Sequence, residues 1–540
     1  MRLRPTLLIA CLLVLAIAGG ARWWITHPQG PATPLAPPGQ AVAPTESSGV
    51  CPGGGDLALA VAGPAAARCT ALPVLQPLQP WQPLDPDPTL PTFSHPEPAQ
   101  RDRYELTLVI EPASGQVTGQ MALHLINRGA EPLPELYLHL YPNAPYFAAN
   151  GDGKPGRPGS LTVDRVEAEG KPLPFTGETG EILAVPLAQP LAPGATLTLR
   201  LTYTVIVPSI ENDRFGSDAR TLFLGNAYPI LALHDQAGWH LDRYIAVGDP
   251  FYSEVADYAV TVQVPPGYDV AATGRPAPVK TVGANALFAF TAERVRDFGL
   301  AVSKGWSRHE RLVDGVQVHY LRDETLSPGA PTPKQVLDQI EGAVRFFGQR
   351  FGPYPYADLT VVDRVGMEYP QFIMGGPELH TVIHEVAHQW WYGVVGNDEL
   401  RQIWDEGLTE FSALLYEASV GVQTPASRLP MGVLANWPMD DSLYRYAAGQ
   451  DRGQLAYGQV LYRRGWRLWE ALRQELGDER FFELVQRFYQ RHQFGTATWA
   501  DWRQAVAEAG APPALALFDQ WVYGAPVPPK APSRVASYID

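Results

Sequence analysis

The sequence predicts an α+β multidomain chain, an N-terminal antiparallel β domain followed by a mostly helical one. Three observations carry that expectation. At 540 residues the chain is too long for one compact core. With 46% hydrophobic and 18% charged residues it has ample material to bury. Its apolar period is two up to about residue 305 and lengthens to a helical spacing beyond about residue 325.

The elements follow in order. Residues 1–25 open with Arg2 and Arg4 before an apolar run from Leu7 to Gly20, then Trp23 and Trp24. A basic segment ahead of a short apolar one is a signal peptide or a membrane anchor through residues 7–25. Either way the bulk of the chain is expected outside the cytoplasm, secreted or held at the cell membrane. Residues 26–100 hold 17 of the 53 prolines and read as an extended spacer. Within it, Cys51 and Cys69 would pair in an oxidising compartment or remain two free thiols.

From Tyr104 the pattern changes. Tyr104, Leu106, Leu108 and Ile110 alternate with polar neighbours, as do Leu197 to Val205 and Tyr258 to Val264. Such alternation between Gly and Pro clusters indicates half-buried strands, so residues 101–305 read as all-β. Further on, Val336, Ile340, Ala343, Val344, Phe347 and Phe351 mark one helical face, with Thr332 as N-cap, Pro333 in the first turn and Gly352 past the end. Leu461, Leu468, Leu472 and Leu476 mark another. Residues 306–525 form the second domain and residues 526–540 a polar tail.

Charge and cysteine content narrow the function. A net charge of −15 argues against nucleic acid as a partner, which needs clustered Lys and Arg. Three cysteines exclude a four-cysteine metal cluster.

The informative segment is His384-Glu385-Val386-Ala387-His388. On a helix the two histidines stand one turn apart on the same face, so both imidazoles reach one zinc ion. Ile383, Val386, Ala387 and Trp390 give that helix an apolar face. A catalytic zinc needs a third protein ligand and an open position. Glu406 heads the next helical stretch, with Asp405 and Glu410 as the alternatives.

These residues resemble the aminopeptidase N family of zinc metallopeptidases, the gluzincin aminopeptidases. The resemblance rests on His384-Glu385-x-x-His388-Gln389-Trp390 followed by Trp404-x-Glu406-Gly407, with Gly366-Met367-Glu368-Tyr369-Pro370 upstream and Tyr462-Arg463-Arg464-Gly465 downstream. It implies an N-terminal β-sandwich or saddle domain and a thermolysin-like catalytic domain. It implies one Zn2+ per chain on His384, His388 and Glu406. Two departures stand out: seventeen residues separate His388 from Glu406 where the family has eighteen, and Tyr369 replaces an Asn.

The resemblance also distributes roles. Glu385 would take a proton from the water that zinc acidifies and pass it to the leaving amine. Tyr462 would donate to the oxyanion, with Tyr457 as its rival. Glu368 would pair with the substrate's α-ammonium, and Gly366 and Met367 would line its strand. Asn397, Asp398 or Asp405 would hold a ligand imidazole from behind. His380, one turn before His384, is expected at the cleft rim or in solvent, and Trp390 and Trp391 in the core or pocket wall.

The expected activity is removal of N-terminal residues from peptides with a free N-terminus. A thermolysin-type endopeptidase and an inactive binding protein of the same fold are the competing expectations.

Overall fold

The computed structural model describes residues 100–153, 155–326, 328–422, 438–448 and 456–524. The leader, the spacer with its two cysteines and the C-terminal tail lie outside the described residues. Among those described, no helix is long and apolar enough to cross a membrane.

The β domain is built on a nine-stranded sheet. Asp102–Glu111 alternates buried and outward residues along its length, and Tyr104, Leu106, Leu108 and Ile110 all face the core. It pairs antiparallel with Gln116–Ile126, which pairs antiparallel with Thr196–Ile206. Its other neighbour, Ala256–Val264, runs parallel to it. The sheet is therefore mixed rather than purely antiparallel, because most of the domain intervenes between these two strands and a long connection permits a parallel return. A four-stranded, a three-stranded and a two-stranded sheet complete the domain.

The second half of the chain, the catalytic half of the sequence expectation, opens with a five-stranded sheet before helices take over. Its spatial order is Trp306–Val313, Val316–Asp323, Asp358–Asp363, Phe372–Gly376 and the edge strand Met367–Tyr369. The inner strands are parallel, and both outer pairs are antiparallel. Asp358–Asp363 is buried throughout, as a strand covered on both faces must be.

The helix Pro333–Phe351 starts at a capping box in which Thr332 and Gln335 satisfy each other's backbone N–H groups. Its apolar face joins Val382, Ile383 and Val386 of the helix Leu379–Ala387 in one large core. That second helix stops at His388, earlier than the apolar spacing suggests. Trp390 N–H bonds the carbonyl of Ala387 and Gly393 N–H that of His388, so the chain tightens and turns. Trp390 and Trp391 are both fully buried, the first donating to the Gly352 carbonyl and the second to Ser412.

Candidate active site

Three elements converge beside the edge strand. The helix Leu379–Ala387 carries His384 and Glu385, with His388 at its C-cap. The helix Asp405–Ser419 contributes Glu406 from its first turn. A π-helical turn, Gly458–Arg464, carries Tyr462 and runs into the helix Gly465–Leu476.

The last two elements meet very closely. A methyl group on Gly407 would stand 2.6 Å from the Gly465 Cα, so only glycine at this crossing lets the tyrosine-bearing turn reach Glu406.

His384 Nε2, His388 Nε2 and Glu406 Oε2 form a nearly equilateral triangle with edges of 3.2, 3.4 and 3.4 Å. Three atoms bound tetrahedrally to zinc at about 2.0–2.1 Å stand roughly 3.3 Å apart, so the donor set fits the ion. Glu406 Oε2 is buried with no hydrogen-bond partner among the described residues, as a ligand atom awaiting a cation would be. Glu406 thus reaches both imidazoles across the shorter gap. Burial pushes its carboxyl up, but His384 and His388 outweigh that and hold it well below the usual carboxylate range.

The other imidazole nitrogens are held in place. His384 Nδ1 lies 3.0 Å from Glu410 Oε2, and His388 Nδ1 lies 3.0 Å from the Trp391 carbonyl. Each imidazole would therefore present Nε2 to a metal ion. Glu410 is a support and not a ligand. Asp405 stands 3.8 Å from His388 Nδ1 and accepts from Asn397 Nδ2 at 2.8 Å. Burial and the neighbouring Glu406 push Asp405 up to about 7. Asp398 turns elsewhere, to Leu400 N–H and Arg401. His380 is neither a ligand nor simply solvated, for its Nε2 is 3.3 Å from Glu410 Oε2 and its Nδ1 3.0 Å from Glu417 Oε1.

Glu385 and Glu368 offer carboxylate oxygens within 4.8 Å of His388 and of each other. Both are buried, and Glu385 Oε2 has no hydrogen-bond partner among the described residues. Burial, then the Asp249 carboxylate, push Glu368 well above the usual range. Asp249 comes from the β domain, where Arg214 pairs with it. It is a member of the site that sequence reasoning missed, since nothing in a β-domain loop marks it. Gly366 turns the chain ahead of the strand at φ +85°, and a methyl group there would stand 3.8 Å from Glu385 Oε1. Met367 shares its strand face with Tyr369 and packs on an apolar cluster with Phe223 and Phe372, on the face opposite Glu368.

Both candidate tyrosines reach the site. Tyr457 donates to Glu406 Oε1 at 2.9 Å, and Tyr462 donates to the same oxygen. On an α-helix residues five apart point about 140° away from each other. A π-helical turn, with its i→i+5 repeat, brings them to one face. The Tyr462 ring also stacks on His384, with centroids 5.6 Å apart and planes 12° apart.

A His-Glu-x-x-His pair on one helix, completed by a glutamate from the next and flanked by an edge strand, defines a zinc metallopeptidase of the gluzincin kind. The comparisons agree. Residues 377–521 match the peptidase family M1 domain. Aminopeptidase N of Lactococcus lactis subsp. lactis is 26% identical over 156 residues, covering 26% of this chain and 18% of that protein. Aminopeptidase N of Streptomyces lividans is 25% identical over 141 residues, covering 24% of this chain and 16% of that protein. The matched segments thus span less than a fifth of those relatives. Among solved structures, an M1 zinc metallopeptidase from Deinococcus radiodurans shares the fold, with a TM-score of 0.57 at 19% identity over 82% of this chain and 97% of that one. A mutant of it bound to a Tyr-Ser-Ala substrate aligns equally, at 20% identity and a TM-score of 0.57. Residues 377–521 thus carry a peptidase family M1 domain, and the chain is similar there to the aminopeptidase N-like gluzincins.

Proposed function

We propose that this protein is an exported zinc aminopeptidase that hydrolyses the N-terminal peptide bond of peptides. The observation that carries the reading is the buried Glu368 carboxyl beside Glu385 and His388. A carboxyl raised well above its usual range, with further acidic groups around it, is suited to a cation that arrives with the substrate. A peptide's α-ammonium is such a cation, and holding it there would set the first peptide bond against the catalytic groups. Export is supported by the basic and apolar leader alone.

Zinc, when held by His384, His388 and Glu406, supplies Lewis acidity and acidifies a water. The chain's own residues do the rest. Glu385, which burial raises above its usual range, takes the proton of the attacking water and returns it to the departing amine. The Tyr462 hydroxyl, stacked beside His384, donates to the oxyanion that develops on the scissile carbonyl. Glu410 and the Trp391 carbonyl keep both imidazoles aimed.

The test runs fluorogenic aminoacyl amides beside their N-acetylated twins on the zinc-loaded protein. Cleavage of the free-amine series alone is the expected result. Equal cleavage of both would replace the reading with an endopeptidase, and silence on both with zinc bound would favour a binding protein.

A further inference from the structure

Tyr369, which stands where the resembled family carries Asn, is fully buried and tied at both ends. Its hydroxyl donates to Asn226 Oδ1 of the β domain at 2.8 Å. Its ring occupies a slot between Gly225 and Gly299, paired residues of two β-domain strands. A methyl group on the first would stand 1.9 Å from the tyrosine oxygen, and one on the second 2.8 Å from its ring, so both positions must be glycine for the ring to enter.

Its backbone carbonyl accepts from Gln389 Nε2 at 3.0 Å, one residue past the ligand His388. The loop then closes. Asn226 stands beside Asp297, and Asp297 accepts from the hydroxyl of Tyr392, four residues past His388.

The strand that carries Glu368 is three residues long and is paired on one side only, to Phe372–Gly376. Successive strand residues face opposite sides, so Tyr369 points to the β domain while Glu368 points to the catalytic groups. A strand this short holds its middle side chain only as well as its ends are held.

We propose that Tyr369 is a positioning residue for Glu368. By fastening the edge strand to Asn226 it sets where the Glu368 carboxylate stands, and it makes the β domain part of free-N-terminus recognition without touching substrate. The proposal rests on the aminopeptidase reading above.

The experiment is a double-mutant cycle on the zinc-loaded enzyme with an aminoacyl amide and its N-acetylated twin. Tyr369→Phe removes one buried hydrogen bond and keeps the ring. It should raise KM for the free amine on the order of tenfold. Its kcat should stay within about twofold and its zinc content should not change. In the Glu368→Gln background the same change should add nothing. Asn226→Gly removes the acceptor at a position whose φ of +51° suits glycine, and should reproduce the pattern.

Equal factors in both backgrounds, or a fall in kcat alone, would overturn the positioning role. A wild-type enzyme that does not distinguish the twins would instead sink the aminopeptidase reading and this proposal with it. A clear wild-type preference that both variants retain undiminished would sink only the proposal.

Discussion

The β-domain core around Asn127 and His139 and the site in the catalytic half bury polar groups in opposite ways. In the β-domain core Asn127 and His139 are neutral and rest on backbone carbonyls, and buried charges such as Arg214 and Asp249 are paired with each other. Asn127 Nδ2 donates to Glu131 O and Leu191 O at 2.8 Å each, and His139 Nε2 bonds His240 O at 3.0 Å. In the catalytic half Glu368, Glu385, Glu399, Asp405 and Glu406 are all buried. One oxygen each of Glu385, Glu399 and Glu406 has no hydrogen-bond partner among the described residues. Burying a carboxylate without a partner is costly, and the cost falls when the group takes up a proton or a cation enters. In the site the unpartnered oxygens cluster on carboxylates around the three candidate ligand atoms, an arrangement suited to cationic ligands.

The sharpest way to break that contrast is to remove the unpartnered groups one at a time. Glu385→Gln keeps volume and removes the proton acceptor, so kcat should fall roughly 10³-fold while zinc content by metal analysis stays unchanged. Near-normal turnover would end the general-base role. Next in size is the tyrosine pair. Tyr462→Phe should lower kcat roughly 10²-fold or more, as loss of an oxyanion donor does. Tyr457→Phe should do far less, because Tyr457 is buried while Tyr462 is half-buried. Equal losses would mean that the π-helical turn supplies two donors to the reaction.

The β domain supplies the pH counterpart. Burial pushes the His139 imidazole down to about 4 from its ordinary 6.5. The unfolded chain therefore takes up a proton between those values that the folded protein refuses. Stability is fully present above about pH 6.5 and is lost as pH falls towards 4, by up to about 3 kcal/mol from this one group. Denaturant unfolding at stepped pH should show a shallower acid loss for His139→Gln, which keeps a donor for the carbonyl and cannot titrate. Identical slopes for the two proteins would show that His139 is not protonated on unfolding.

How legible each region was follows from the same contrast. Alternation along Asp102–Glu111 and the capped face from Val336 to Phe351 were plain, because burial on one side leaves a period in the sequence. Asp358–Asp363 is buried on both sides and leaves none. The parallel pairing of Asp102–Val109 with Ala256–Gln263 joins segments some 150 residues apart, and no local pattern reports it. In the site, His384, Glu385 and His388 were readable because one helix spaces them. Tyr457 and Tyr462 looked like rivals because α-helical spacing separates two side chains that a π-helical turn unites. Glu410 was readable only as a fallback ligand, although its place one turn after Glu406 puts it on the same helix face. Asp249 and Asn226 reach the site or its edge strand by tertiary folding alone.

The smallest expected effect asks how far the catalytic half's carboxylate chemistry extends from the metal. Glu410 touches a ligand imidazole directly, so Glu410→Ala should weaken zinc retention against a chelator by about 10- to 100-fold. His380 is one step further out, bonded to Glu410 and to Glu417. It fixes the Glu410 carboxylate rather than the imidazole, so His380→Ala should cost only a few-fold in the same competition. A loss from His380→Ala as large as that from Glu410→Ala would mean that the row from Glu417 through His380 and Glu410 to His384 behaves as one unit. The structural style of burial would then begin only beyond Glu417.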